Sequence, residues 1–234
     1  MSTECLQPVG GTVMRALKLD ACGNPLTGVG SCKVVSEGFI SVERTAEYAD
    51  PDQFIQKNAA GKVCLKHRTA PQLLWYTYNI MFCEVDVDLY TMLSGSQVVL
   101  DDTPVTPNHI GWSTRTSLIG TTNWSLELWL PLSQEACVGA NVPYLYWVSP
   151  WIHQGTISTP LTVENGPVTF GVSGAKTQFP SPWGVGPYNV QYDQFAAPEK
   201  LFTAIVSDEA DRFFRTELAP PTAACGCTTV TPDA

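Results

Sequence analysis

The chain has 234 residues, 15% of them charged, and a net charge of −9. That length can bury a core without help from disulfides or metal ions. Thirteen basic residues against 22 acidic ones provide no basic stripe to neutralise phosphates, which excludes tight nucleic-acid binding.

The low proportion of charged residues is itself informative. An average protein has about 25% charged residues, and a surface with fewer often belongs to a subunit that packs against other subunits. No apolar run reaches about 18 residues, so we expect no membrane span. The first residues lack the pattern of a secretory signal, and we expect the protein to stay in the cytosol of the cell that makes it.

Short alternating segments predict strands in the first part of the chain. Residues 13–19 alternate clearly and form the first predicted strand. A second strand is expected over 33–42, with Gly38 as a possible bulge. The polar stretch 45–61 is broken by proline and glycine, and it is predicted to be a long loop.

An apolar stripe at helical spacing predicts one short helix over about 87–94. Asp86 or Asp88 can cap its first amides, and Gly95 is placed to end it. A helix this short is marginal alone, so we expect it to pack on a sheet.

Further strands are predicted in the remainder of the chain. They cover residues 73–83, 124–130, 144–148, 161–173 (a hairpin turning at Asn165-Gly166), 188–192 and 201–206.

These elements indicate a mainly β protein with one β-sandwich or barrel-like domain, one short flanking helix and long loops. We place this domain at residues 13–217. An N-terminal arm (1–12) precedes it, and a flexible C-terminal tail (218–234) follows it.

The glycine-rich run FGVSGAKT (170–177) resembles a phosphate-binding loop at first sight. The required spacing G-x-x-x-x-G-K-[ST] is absent, and three prolines soon follow, where a phosphate-binding helix would have to begin. The glycines are better explained as bends in a sheet.

No catalytic, cofactor-binding or metal-binding residues are predicted. The chain has no nucleophile elbow, and its histidines (His67, His109 and His153) are scattered and expected to have structural or surface roles. The pair Cys225-Gly-Cys227 is a weak zinc signal, and free thiols are the simpler interpretation of the eight cysteines.

Charge is distributed unevenly along the chain. Between residues 69 and 175 the only basic residue is Arg115, against eight acidic ones. These are Glu84, Asp86, Asp88, Asp101, Asp102, Glu127, Glu135 and Glu164.

Five ordered segments together resemble the major tail proteins of long, non-contractile-tailed phages (siphoviruses), particularly those that infect actinobacteria. They are VMRALKLDACGNP (13–25), VVSEGFISV (34–42), FCEVDVDLYTMLSGSQVV (82–99), LTVENGPVTFGVSGAKT (161–177) and WGVGPYNV (183–190).

The resemblance implies a structural virion protein without catalytic residues or cofactors. Its subunits would form hexameric rings that stack into a hollow tail tube, assembled in the host cytoplasm. Phage DNA would pass through the lumen without specific binding. The implied partners are other copies of the chain, a tape measure protein, a tail terminator and tail-tip proteins.

Two sets of residues follow as candidates for these roles. An acidic lumen would repel DNA, so we predict that some of Asp101, Asp102, Glu127, Glu135 and Glu164 face it. The 45–61 stretch is the candidate inter-ring contact through Tyr48, Phe54 and Ile55. The alternative function is a β-sandwich carbohydrate-binding or decoration module of the virion, which would need aromatic side chains exposed on one face.

Overall fold

The computed structural model describes residues 5–116, 122–133, 142–157, 163 and 165–233. It is mainly β, with 47% of residues in strands and 4% in a helix. Its sheets are antiparallel, which agrees with the predicted β-sandwich-like domain.

The elements in chain order are β1 (Val13–Leu19), β2 (Lys33–Ser36), β3 (Phe39–Tyr48), β4 (Gln53–Lys57), β5 (Val63–Arg68), β6 (Leu73–Phe82), α1 (Val87–Ser94), β7 (Gln97–Leu100), β8 (His109–Ser113), β9 (Asn123–Pro131), β10 (Tyr144–His153), β11 (Thr156–Ile157), β12 (Phe170–Thr177), β13 (Gln191–Tyr192), β14 (Pro198–Glu199), β15 (Arg212–Thr216) and β16 (Ala224–Thr228).

Ten strands form one large sheet. Eight lie side by side in the order β16-β2-β1-β9-β10-β12-β6-β3, while β11 pairs with β12 and β15 with β10. The ladders β4-β5, β7-β8 and β13-β14 are separate two-stranded hairpins. The two free ends of the eight-strand path are therefore β16 and β3.

The central strands are buried on both faces. Met14 and Ala16 of β1 belong to one core cluster, whereas Val13 and Leu17 of the same strand belong to another. This division follows from the alternation of side chains along a strand. The first cluster includes apolar residues of α1, and the second lies beneath the segment 183–205.

Helix α1 begins and ends where its sequence predicts. The Asp86 carboxylate accepts a hydrogen bond from the Leu89 amide at 2.9 Å, and Gly95 ends the helix in the left-handed conformation with φ of 69°. Leu89 and Leu93 are buried in the first core cluster. Within the described ranges, no helix has the length and apolarity needed to cross a membrane.

The predicted strand over 33–42 is in fact two strands. β2 pairs with β1, whereas β3 pairs with β6, so the chain changes neighbours at Gly38. The Gly38 carbonyl accepts hydrogen bonds from the Cys83 and Glu84 amides. A Cβ at position 38 would lie 2.7 Å from the Glu84 Cβ, so the close backbone approach requires glycine.

The prediction of a flexible tail over 218–234 is wrong for the described residues of that segment. β16 pairs with β2, and Val230 is only 1% exposed in the second core cluster. The backbone amides of Gly226 and Cys227 donate to the Asp86 and Asp88 carboxylates at the start of α1. The C-terminal segment is thus an edge strand of the sheet.

A disulfide joins Cys32 to Cys227, so these two are not the free thiols that the sequence suggested. Five other cysteines are free and exposed. The remaining one, Cys137, lies outside the described residues.

Other predicted elements also differ from the structure. Of the predicted strand over 188–192, only Gln191–Tyr192 form a strand. Residues 201–206 do not form a strand, and Ile205 makes only an isolated bridge to Gly184. Part of the predicted hairpin at Asn165-Gly166 falls outside the described residues, and its second strand begins at Phe170.

The centre of the sheet contains a buried ion pair. Arg15 of β1 lies directly opposite Glu127 of β9, and their side chains are paired through two hydrogen bonds. The Tyr146 hydroxyl donates to the same carboxylate. Burial would lower the pKa of Arg15, but the Glu127 carboxylate outweighs it and raises that pKa. Burial and this carboxylate also raise the pKa of Tyr146.

We expect the single substitutions Arg15→Leu and Glu127→Leu each to lower the free energy of unfolding by about 3–5 kcal/mol, because each leaves one buried charge unpaired. Urea denaturation followed by tryptophan fluorescence measures this. The double variant removes both charges and should recover much of the loss. A loss in the double variant equal to the sum of the two single losses would contradict a coupled pair.

Candidate functional site

A hairpin extends away from the large sheet between β3 and β6. We call residues 49–72 the projecting hairpin. At its base the Ala49 amide donates to the Gln72 carbonyl at 2.8 Å, and at its turn the Asn58 amide donates to the Lys62 carbonyl at 2.8 Å. At about 3.3 Å per residue, its five strand pairs span about 15 Å.

The predicted long loop at 45–61 is therefore replaced by strand structure. β3 continues to Tyr48, and β4 pairs with β5 from Gln53↔Arg68 to Lys57↔Val63. Every residue of β4 and β5 is exposed. An isolated two-stranded hairpin is marginally stable in water, so a long exposed one indicates a surface that needs a partner.

The three inter-ring candidates all lie on or beside this hairpin. Tyr48 is 57% exposed, Phe54 60% and Ile55 51%. Consecutive residues of a strand point to opposite faces, so Phe54 and Ile55 lie on different sides of the hairpin.

The register gives the projecting hairpin two different faces. Phe54 lies opposite His67, and Gln56 opposite Leu65, which places Phe54 and Leu65 on one face. The other face carries Ile55 with Lys66 and also Arg68. We did not predict this basic face from the sequence. The signal is present, since residues 53–68 contain four basic residues and no acidic one.

Among the residues that the structure describes, neither edge of the large sheet is covered by another strand. β3 has ten residues and mostly exposed or half-buried side chains, so it offers a long row of backbone groups for pairing. β16 is short, and its register with β2 shifts between Ala224 and Thr228. A long exposed edge such as β3 is a template for pairing with another chain.

The predicted lumen-facing residues fall into three groups. Glu127 is 1% exposed and bonded to Arg15, so the expectation that it could line a lumen is wrong. Asp101 and Asp102 lie between β7 and β8, in a hairpin at the surface. Glu135 and Glu164 lie outside the described residues.

Asp101 organises its own turn. One carboxylate oxygen accepts the Asn108 amide at 2.8 Å, and the other accepts the Asn108 side-chain amide at 2.7 Å. The Thr103 hydroxyl also donates to it, at 2.8 Å. These hydrogen bonds, those of Asn108 foremost, lower the pKa of Asp101 to about 2. The carboxylate therefore stays charged throughout the neutral and mildly acidic range.

Other acidic residues of the base-poor stretch have partners within the chain. Asp86 and Asp88 hold α1 and β16, and Asp88 also bonds His109. The acidity of residues 69–175 therefore does not form one continuous free surface.

The histidines considered for catalysis either form local hydrogen bonds or lie exposed at the surface. His109 bonds Asp88, His153 bonds Asn123 at 3.0 Å, and His67 is exposed on the projecting hairpin. In the described part of the chain, no group of three or more His, Cys, Asp or Glu side chains could hold a metal ion.

The run FGVSGAKT forms strand β12, in agreement with the interpretation of its glycines as bends in a sheet. Gly174 has φ of 73°, and the register with β6 shifts between Val172 and Ala175. A glycine at such a bulge explains the motif without a phosphate ligand.

The seven tryptophans are all buried or half-buried. Trp124 and Trp129 face the two core clusters, and Trp147 stacks on Phe213 with ring centroids 5.1 Å apart. They offer no flat, exposed tryptophan platform for a sugar.

Comparison with models of known protein families finds no match, and comparison with curated proteins also finds none.

The Asp101 turn leads to a prediction about pH. We expect nuclear magnetic resonance titration to give a carboxyl pKa of about 2 for Asp101, and Asn108→Ala to raise it towards the ordinary 3.8. Because the folded-state pKa is depressed, this turn stabilises the fold above about pH 4 and loses that effect as the pH falls towards 2. Asp102→Asn, on the neighbouring residue, is the control that should leave the Asp101 pKa low. An unchanged pKa in Asn108→Ala would contradict the assignment.

Proposed function

We propose that this chain is the major tail tube subunit of a long, non-contractile phage tail. Subunits form hexameric rings, and the rings stack into a hollow tube that conducts DNA into the host. The observation that carries the proposal is the projecting hairpin, in which every strand residue is exposed. Such a hairpin suits a subunit that must reach another ring.

The open sheet edges support ring formation. The eight-strand path ends at β3 on one side and at β16 on the other, so a copy has two different edges to present. Contacts between unlike edges are heterologous, and they close into a ring when the rotation between copies permits it. Pairing in the ring would also protect the long β3 edge from aggregation.

The charge of the chain supports a conduit for DNA. A lumen that bound phosphates would slow the passage of DNA, whereas a neutral or acidic lining repels it. Asp101 and Asp102, on the β7-β8 hairpin, are the described residues that we assign to this lining. Glu135 and Glu164 keep the same assignment on sequence grounds. Partnership with a tape measure protein, a tail terminator and tail-tip proteins belongs to the same proposal.

A carbohydrate-binding or decoration module of the virion is the second candidate. Exposed aromatic side chains favour it, chiefly Phe195 at 81% and Phe202 at 61%. The burial of the tryptophans favours the tube subunit instead. A glycan screen on the purified chain separates the two, because a tube subunit has no need of sugar binding.

The first experiment is negative-stain electron microscopy of the purified chain, concentrated to allow assembly. Rings or hollow tubes with six-fold end views are the expected result. A monomer that binds glycans and never assembles, even with the tail-tip proteins as initiators, would overturn the proposal.

The hairpin itself is tested by replacing residues 50–71 with Asn-Gly, which forms a tight two-residue turn. Because the hairpin lies outside both core clusters, we expect the melting temperature to change by only a few degrees, about what 1 kcal/mol produces. Tubes should be absent, while single rings remain permitted. Normal tubes from this variant would show that ring stacking does not require the hairpin.

A matched pair of point variants refines this test. Phe54→Ser on the projecting hairpin and Ile110→Ser on β8 replace side chains that are 60% and 61% exposed. Only Phe54→Ser should raise the concentration needed for tube formation, as measured by light scattering. Equal effects of the two substitutions would indicate a loss of general surface hydrophobicity.

A further inference from the structure

We infer that the tip of the projecting hairpin of one copy docks on an acidic and aromatic pocket of a second copy. We call this the β13-β14 pocket, an open cavity of about 690 Å³ lined by Tyr192, Asp193, Gln194, Glu199 and Phe202. The inference rests on the proposed function, because it names the surface that receives the hairpin.

The β13-β14 pocket is a well-defined structure. Asp193 holds the turn between the two strands by accepting the Phe195 and Ala197 amides at 2.8 and 2.7 Å. The Gln191 side chain donates to the Lys200 carbonyl at 2.7 Å, which ties the strands together a second time. A fixed concave surface loses little conformational entropy when it binds a partner.

The pocket has negative charge that the chain does not neutralise. Residues 191–211 contain five acidic residues and one basic residue. Glu209 and Asp211 are paired with Arg212 and Arg44, respectively. Glu199 is exposed, and its carboxylate has no hydrogen bond or ion pair with any residue that the structure describes.

The tip of the projecting hairpin has the complementary character. Lys57 and Lys62 flank its turn, and their ammonium groups have no ion pair within the described parts of the chain. Ile55 lies on the same face as Lys57, and Val63 pairs with Lys57; they supply apolar surface beside it, at 51% and 54% exposure. Phe202, 61% exposed, offers the matching apolar surface at the pocket.

A second copy is the partner that this complementarity favours. The whole chain has a net charge of −9, so copies repel one another unless oppositely charged patches meet. The basic tip and the acidic pocket are such patches, and they are different surfaces of one chain. A contact between unlike surfaces leaves a free tip at one end and a free pocket at the other, so it can repeat without limit along a tube.

Another acidic and apolar surface competes for the tip. The β7-β8 hairpin carries Asp102 with the exposed Leu100 and Ile110. Its neighbouring Asp101 is already engaged in the turn. Experiment can distinguish whether the β13-β14 pocket or the β7-β8 hairpin receives the tip.

Charge reversal is the direct test. The variant Lys57→Glu with Lys62→Glu should raise the concentration needed for tube formation by about tenfold or more, and Glu199→Lys should do the same. Combining the two should restore assembly. Asp102→Lys is the matched control: it should neither weaken assembly on its own nor rescue the reversed tip. The inference would be overturned if Asp102→Lys, without Glu199→Lys, restored assembly of the reversed tip. It would also be overturned if Glu199→Lys assembled as readily as the wild type.

Cross-linking separates this inference from the tube itself. A carbodiimide joins a lysine to a carboxylate only when they are in contact, and mixed ¹⁴N and ¹⁵N protein identifies links between copies. We expect amide links from Lys57 or Lys62 to Glu199 or Asp193, weakened by high salt. Tubes without these links would refute the docking and leave the proposed function standing. Such links in a protein that forms only irregular aggregates would support the docking and refute the tube.

Discussion

The ion pair between Arg15 and Glu127 is the interaction on which the second face of the sheet depends. Arg15 also lies against the rings of Trp129 and Tyr188, with its guanidinium carbon 5.2 and 4.2 Å from their centroids. Cation–π contacts gain strength where water is excluded, as it is here. Tyr188 belongs to the segment that covers this face, so a charge in the central strands holds the cover in place.

The covering segment continues directly from Tyr188 into β13 and β14. The β13-β14 pocket is therefore positioned by the same buried charge, although it lies at the surface. The projecting hairpin depends on different residues, because it extends from β3 and β6. Arg44 of β3 connects the two regions through its ion pair with Asp211 and its position over Tyr76 at 4.3 Å. The two surfaces that we pair between copies are thus held by Arg15 and Arg44.

Local signals could be predicted from the sequence, and contacts between distant residues could not. The helix is capped by Asp86, one of the two predicted candidates, and by Gly95, as predicted, because capping involves residues a few positions apart. The break at Gly38 escaped prediction because its cause is Glu84, on another part of the chain. The burial of Val230 escaped prediction for the same reason, because it depends on β16 pairing with β2, which is distant in sequence.

Glu127 shows a second reason why some features could not be predicted from the sequence. Its strand alternates, and the leucines on one side correctly indicate the first core. Alternation usually assigns the other side to solvent, and Glu127 lies there. Residues 183–205 cover that side, and no pattern within β9 indicates that a distant segment buries it. The projecting hairpin was misjudged for the opposite reason, since strands exposed on both faces have the composition of a loop.

The position of β16 in the sheet also affects when the chain can fold. Cys32 and Cys227, which join β2 to β16, are 195 residues apart in sequence. Closing so long a loop is slow compared with forming local hairpins. The second core lacks Val230 until that residue has left the ribosome, so the sheet acquires its outer edge long after β2 has been made. A nascent chain without β16 cannot offer that edge to another copy, so in the ring that we propose this delay would keep unfinished chains out.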